Sequence, residues 1–179
     1  VNITYTTAST SRELEEILQL QQQNLAISIS KEEKKKEGFV TVQHDIEILS
    51  KMNGIEPHII AKDGDTVIGY TLCMTKDFGQ DIPVLIPLFR EVEKSTYRSK
   101  NFIVMGQVCI DKGYRGQGVF RGLYQHMKKK LQHTYDILIT EVAADNLRSL
   151  QAHQAIGFKT LVTHENDGIK WHLIHWNWE

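Results

Sequence analysis

Strand-like and helix-like stretches alternate along these 179 residues in an order that predicts a mixed α/β domain. The expected architecture is a mostly antiparallel central sheet with one parallel strand–helix–strand crossover in its middle, and with flanking helices. Three observations carry it. Two pairs of apolar runs are joined by hairpin turn residues, Lys62-Asp63-Gly64-Asp65 and Asn166-Asp167-Gly168. A strong strand, Phe102–Ile110, leads through a glycine turn into an amphipathic helix. That helix leads into Asp136–Val142, a run apolar enough to be central in a sheet, and a crossover of this kind sets two strands parallel. No internal repeat or low-complexity linker divides the chain, so residues 1–179 read as one domain, long enough to bury a substantial core.

In order, Asn2–Thr6 alternates like a strand. Ser9 or Ser11 caps a helix running to about Ala26, with Leu14, Ile17, Leu18, Leu20 and Leu25 on its apolar side. Lys31–Glu37 is a charge run, and Val42–Met52 has Val42, Ile46 and Leu49 at helical spacing. Pro57–Ala61 and Thr66–Met74 read as strands. Asp77–Lys100 holds two of the three prolines and one short helix near Leu88–Lys94; it either covers a substrate or is a surface excursion. Val119–His133 is a helix with Val119, Phe120, Leu123, Met127 and Leu131 on its apolar face. Asn146–Ile156 is a second, ended by Gly157 as a left-handed cap. Thr160–His164 and Ile169–Trp178 complete the sheet.

Composition narrows the function. The chain is 41% hydrophobic and 24% charged, as soluble globular proteins are. With 21 Lys and Arg against 22 Asp and Glu, no whole-chain field favours nucleic acid, and no basic aromatic-rich motif appears. No apolar run approaches the roughly 20 residues that span a bilayer, so no membrane partner is expected. Val1–Thr10 lacks a signal core, and Cys73 and Cys109 sit in apolar runs that suit a reducing compartment. The expected location is cytoplasmic. A leading Val rather than Met leaves open a longer N-terminus. His172 and His175, three apart on a strand, point to opposite faces, so no metal is expected. Trp171, Trp176 and Trp178 read as core or edge packing, with a homodimer contact as the alternative.

The chemistry points to Gly113-Tyr114-Arg115-Gly116-Gln117-Gly118, between the buried strand and the amphipathic helix. Glycines let a backbone turn tightly and approach a ligand, and a helix start offers unpaired N–H groups at the positive end of its dipole. Together these make an anion site for a phosphate, to which Arg115 and Arg121 add charge-assisted contacts. A plain tight turn is the alternative. The spacing is neither a Walker loop nor a dinucleotide fingerprint, because Arg121 stands where a third glycine is needed.

Val108–Gly122, VCIDKGYRGQGVFRG, resembles the central motif of the GNAT acetyltransferase superfamily, Arg/Gln-x-x-Gly-x-Gly/Ala. Arg115, Gly116, Gln117 and Gly118 match, and Phe120 departs at the last Gly/Ala position. Asn146–Phe158 is similar to the family's following motif, an Asn-led helix ending in Gly-Phe. The resemblance implies direct transfer of the acetyl group of acetyl-CoA to a primary amine. It implies that the turn from Arg115 through Gly116, Gln117, Gly118, Val119 and Phe120 to Arg121 holds the CoA pyrophosphate. It implies that pantetheine pairs with Val108, Cys109 and Ile110, that an N–H near Val108 stabilises the oxyanion, and that Asn146 and Ser149 contact CoA.

His153 stands where many family members carry the Tyr that protonates the leaving thiolate. On helix geometry it shares a narrow face with Asn146 and Ser149. Imidazole titrates near neutrality, so His153 is either that acid or a hydrogen-bonding neighbour. Glu141, near the end of the central strand, is the candidate base, or else a paired strand-end carboxylate. Covalent catalysis through Cys109 is disfavoured, since a small buried thiol is the commoner reason for Cys in a strand. The competing function is a non-catalytic CoA or acyl-CoA sensor or scaffold, which the Phe120 departure and the missing Tyr keep open. The acceptor is a small-molecule or peptide amine whose identity is not written in any motif.

Overall fold

The computed structural model describes the backbone of residues 1–179 and the side chains of all of them but Glu37 and Val84. β1 (Ile3–Thr7) leads into α1 (Ser11–Asn24). Thr10 is the cap, rather than Ser9 or Ser11: its hydroxyl accepts the Glu13 N–H at 3.2 Å while the Glu13 carboxylate accepts the Thr10 N–H at 3.1 Å. The charge run folds as the short helix α2 (Lys31–Glu37). Ser30 caps it, Glu32 and Glu33 occupy its first turn, and lysines occupy its last, as the helix dipole favours. α3 (Ile46–Ile55) starts later than the apolar spacing suggested, because the Asp45 carboxylate accepts the Ile48 N–H and leaves residues 41–45 outside the helix.

β2 (Ile59–Asp63) and β3 (Thr66–Met74) form the first hairpin. The 77–100 excursion holds α4 (Ile86–Lys94) between short 3-10 turns. Then come β4 (Phe102–Ile110), α5 (Val119–Leu131), β5 (Ile137–Ala143), α6 (Leu147–Ile156), β6 (Lys159–Asn166) and β7 (Ile169–Asn177). Asp167 and Gly168 both have positive φ, at 51° and 74°, the geometry a tight two-residue hairpin demands.

All seven strands share one sheet in the order β1-β2-β3-β4-β5-β7-β6. Every neighbouring pair is antiparallel except β4 and β5, the expected crossover. One core lies between the sheet and α1, α3 and α4, built on Ile17, Leu49, Met52, Leu88 and Val92. The other lies between the sheet and α5, with Leu123, Tyr124 and Met127 at its centre. Trp171 and Trp178 are buried, and Trp176 packs on Phe158 and Tyr124, so the tail aromatics fill space within this fold. No helix among the described residues is long and apolar enough to cross a membrane.

One irregularity shapes the middle of the sheet. Thr71 pairs with Val108 but Cys73 pairs with Met105, so two steps along β3 answer three along β4. The extra residue is a bulge, which bends its strand and reverses which side chains face which side. Phe102 and Val104 face the α1 core, Ile103 and Met105 the α5 core; beyond the bulge, Cys109 joins the α1 side. β4 pairs with β5 only through Val104 and Ile139, and then the two separate.

Three imidazoles are enclosed by this packing: His44, His58 and His153 are 6%, 0% and 1% exposed. Burial drives each pKa down to about 4, against hydrogen bonds or charges that pull upward. Between pH 6.5 and 4 the unfolded chain therefore binds protons that the native state refuses. Stability is complete above pH 6.5 and falls as pH drops toward 4, by up to about 3 kcal/mol per imidazole. Denaturant titrations at steps through this window should show that slope; a flat profile would show that these rings are not held neutral.

Candidate active site

The glycine turn takes the geometry its sequence asks for. Asp111 Oδ1 accepts the Gly113 N–H at 2.8 Å and starts a 3-10 turn over Lys112–Tyr114. Gly116 and Gly118 then adopt φ of 73° and 80°, where side chains are strained, and no atom lies within 4 Å of a Cβ built on either. Gly118 is the N-cap of α5 and supplies no side-chain cap, so the N–H groups of Val119, Phe120 and Arg121 open outward. Val119, 1% exposed, anchors the helix start in the core. Gln117 is exposed and donates to the Gly113 carbonyl at 3.0 Å.

The two arginines divide their roles. Arg115 Nε donates to the Ile110 carbonyl at 3.1 Å and Nη2 to Asn24 Oδ1 at 2.5 Å. Arg115 thereby ties the end of β4 to the end of α1. Arg121 is exposed beside the turn, with one long bond of 3.4 Å to the Ala155 carbonyl. Phe120 does not crowd the turn. Its ring stands edge-on to Tyr124 and His153, 5.0 Å from each, filling the space between α5 and α6.

From the turn a groove of about 360 Å³ runs along Val108, Cys109 and Ile110. α6 forms one wall with Ser149 and Ala152, and residues Gly38–Val40 form the other. It meets a narrower slot of about 70 Å³ where β4 and β5 have separated, bordered by Gln107, Val108, Thr140, Glu141, Asn146 and His153. Thr140 closes the end of the parallel pairing by donating to the Met105 carbonyl at 2.7 Å. The slot passes through the sheet: Leu138 and Val142 face the α5 core while Ile137 and Ile139 face the α1 core. By strand alternation Glu141 belongs to the α1 side, opposite His153.

Asn146, Ser149 and His153 do share one face, and all three line the slot. Asn146 is the N-cap of α6, but its side chain makes no capping bond. Its Nδ2 donates to the Phe39 carbonyl at 3.0 Å, and its buried Oδ1 has no partner among the described residues. His153 Nδ1 lies 2.7 Å from the Ser149 carbonyl, which can only accept, so Nδ1 carries the ring proton. Nε2 then accepts the Tyr124 O–H at 2.6 Å. Burial pushes this imidazole down to about 4, so it is neutral at pH 7 and Nε2 holds no proton to give. Its 1% exposure removes the water that an imidazolium needs, which favours the reading of His153 as a hydrogen-bonding neighbour over that of an acid.

Glu141 has 6% side-chain exposure, and burial raises its pKa against a 3.0 Å bond from His164 Nε2. Cys109 is 6% exposed, and burial pushes its thiol up to about 12, which leaves no thiolate for covalent chemistry.

A buried polar chain was not legible in spacing. Tyr70 O–H donates to Gln107 Oε1 at 2.7 Å, Gln21 Nε2 donates to the same oxygen at 2.7 Å, and Gln107 Nε2 donates to the Val42 carbonyl at 2.8 Å. Gln21 Nε2 also reaches His44 Nδ1, and Gln21 Oε1 accepts the His44 N–H, both at 2.8 Å. These bonds fix every amide orientation and hold residues 42–44 beside the slot. The bulge turns Gln107 toward α1, and no local pattern announces it.

With this geometry in place, known proteins can be compared. The model of the acetyltransferase (GNAT) family matches residues 14–158. The chain belongs to the GNAT acetyltransferase family. A search of curated protein sequences gives no match. Among solved structures, it is similar to the ribosomal-protein-S18-alanine N-acetyltransferase of Escherichia coli: TM-score 0.67, 13% identity, covering 98% of this chain and 94% of that one. An N-acetyltransferase from Staphylococcus aureus Mu50 superposes with TM-score 0.68 at 17% identity over 100% of both chains. The yncA protein of Salmonella typhimurium, solved with its cofactor acetyl-CoA, gives TM-score 0.67 at 11% identity, covering 100% of this chain and 95% of that one. At such identities these likenesses concern the fold.

The GNAT domain is an acetyl-CoA-dependent N-acetyltransferase. Its residues fit that co-substrate: the helix start without a side-chain cap offers N–H groups suited to phosphates, and the orphaned Asn146 Oδ1 borders the slot beside the groove. Among the described residues no group of three or more metal-ligating side chains gathers. Two outcomes follow for the enzyme. Cys109→Ala should keep turnover within a few-fold of the parent, and a dead variant with an acetylated parental Cys109 in mass spectra would restore the covalent route. His153→Ala should lower stability by about 1–3 kcal/mol, because the Tyr124 hydroxyl loses its buried acceptor. It should reduce kcat by less than the roughly 10²–10⁴-fold expected for a lost general acid, and a loss of that size would reinstate His153 as the proton donor.

Proposed function

We propose that the chain works as one domain that transfers the acetyl group directly to a primary amine of a small molecule or peptide. The reading rests on the slot between β4 and β5, which opens to the CoA groove on one face and to Glu141 on the other. In this reading the turn from Arg115 to Arg121 binds the pyrophosphate through its backbone, and Val108, Cys109, Ile110, Asn146 and Ser149 hold the pantetheine arm. When bound, acetyl-CoA supplies an acetyl thioester as the electrophile. The β5-facing edge of β4 beyond Val104 lacks a strand partner. A backbone N–H near Val108 is therefore available to stabilise an oxyanion. Glu141, whose basicity burial raises, takes the proton that a protonated amine must lose before it attacks. His153 acts by positioning Tyr124 and α6.

The acceptor reaches Glu141 from the α1 side. There a hollow of about 380 Å³ continues past Val42 and carries Asp45, Glu47 and Asp81 against Lys51. Its negative balance favours a cationic amine over an anionic one. Buried Cys73 and Cys109, both free, support a reducing location, the cytoplasm.

Acetyl-CoA should raise the melting temperature, as a ligand selective for the native state does. Gly118→Asp should abolish that rise by setting a carboxylate at the open helix start; unchanged acetyl-CoA affinity in a folded variant would falsify the phosphate site. A panel of small and peptide amines, read by release of the CoA thiol, should turn over cationic amines first. Preference for amines that carry a carboxylate near the nitrogen would overturn the assignment of the acidic hollow.

A further inference from the structure

Glu141, in the slot wall, has a partner behind it. His164 lies on β6, two strands away, with β7 between them. Glu141 is paired to Leu173, Leu173 to Val162, and His164 follows Val162 by two residues on the same face. Both side chains reach over β7 to meet at 3.0 Å, Nε2 to Oε2. They are 11% and 6% exposed, although β6 is an edge strand whose neighbours Thr163 and Glu165 are open to solvent.

Exposed ion pairs on an edge strand contribute little and adopt many geometries. This one is enclosed, and one of its members borders the reaction slot. Burial alone would favour the uncharged carboxyl, and the hydrogen bond from His164 opposes that. It occupies Oε2, while Oε1 carries no hydrogen bond among the described residues.

We infer that His164 is the positioning residue of the base: its Nε2–H holds Glu141 Oε2 so that Oε1 is presented, as a carboxylate oxygen, to the acceptor nitrogen. The inference rests on the reading of Glu141 as the base. In the step it serves, the proton leaves the acceptor ammonium for Glu141 Oε1, and the freed nitrogen lone pair forms the bond to the acetyl carbon. The carbon–sulfur bond breaks with its electron pair on sulfur, and the nitrogen's second proton goes to solvent. His164 never touches the acceptor. Its ring keeps the same proton throughout.

Three variants separate the roles. His164→Phe fills the volume without a donor, His164→Gln keeps an N–H near the Nε2 position, and Glu141→Gln removes the base. With acetyl-CoA saturating, and a lysine-containing tetrapeptide and putrescine as probe amines, His164→Phe should lower kcat by roughly tenfold, part of the 10²–10⁴-fold a base contributes. The KM for acetyl-CoA should not move, and His164→Gln should recover most of the loss. In the Glu141→Gln background, His164→Phe should cost nothing more, since it acts only through the carboxylate. A full additional loss in that background overturns the inference. Carboxyl carbon NMR gives a second reading that needs no turnover: the Glu141 titration midpoint should rise in His164→Phe and return in His164→Gln. An identical midpoint in the parent, His164→Phe and His164→Gln means the bond does not form, and the inference falls. If the midpoint moves but Glu141→Gln keeps parental kcat, it is the assignment of the base that fails, and the role of His164 with it.

Discussion

Two strands that run parallel and share a crossover would ordinarily pair along their whole length, since each unpaired backbone group in a sheet interior is costly. Here the extra residue in β4 forbids it. With two positions of β3 opposed by three of β4, the strand bends away and its bonds to β5 end at Val104. Everything functional is arranged around the opening. The groove approaches it from the α5 side, Glu141 borders it from the α1 side with His164 behind it, and Gln107 is turned toward α1 by the same irregularity. A regular β4 would close the slot and carry Gln107 to the wrong face.

The glycine turn depends on that strand as well. Arg115 bridges the carbonyl of Ile110 and the side chain of Asn24, so the turn is braced against the far end of α1. Beside it, the start of α5 carries no side-chain cap, and Arg121 stands exposed. An oriented helix start needs no side-chain rearrangement to receive a phosphate, whereas a loose guanidinium loses conformational freedom on binding.

The sequence was informative wherever a feature repeats locally. Alternation in β1, the apolar runs of β2, β3 and β7, the turn pairs Gly64-Asp65 and Asp167-Gly168, and the helical spacing of Leu123, Met127 and Leu131 each speak within a short window, and the sheet follows from them. It was misleading where a cap outweighs periodicity: Val42 and Ile46 sit at helical spacing, yet the Asp45 cap starts the helix only at Ile46. It was silent on contacts made across the fold. Gln21 and Gln107 lie 86 residues apart, and Glu141 and His164 lie 23 apart on different strands. Burial cannot be read from a residue type either, so His153 looked like a group that titrates near neutrality until its enclosure by Tyr124, Phe120 and Phe158 was visible.

The Tyr70–Gln107–Gln21–His44 chain also constrains how such a site can change over generations. Each amide in it has a fixed direction, because the His44 N–H and the Val42 carbonyl admit only one kind of partner. Replacing Gln107 alone strands a hydroxyl, an amide and a carbonyl at once, each inside the core. Altering Gln21 alone strands His44 and Gln107. Single substitutions therefore cross a valley, while a joint exchange of Gln21 and Gln107 for apolar residues crosses a shallower one. The slot wall is epistatic by construction, and its residues should drift together or not at all.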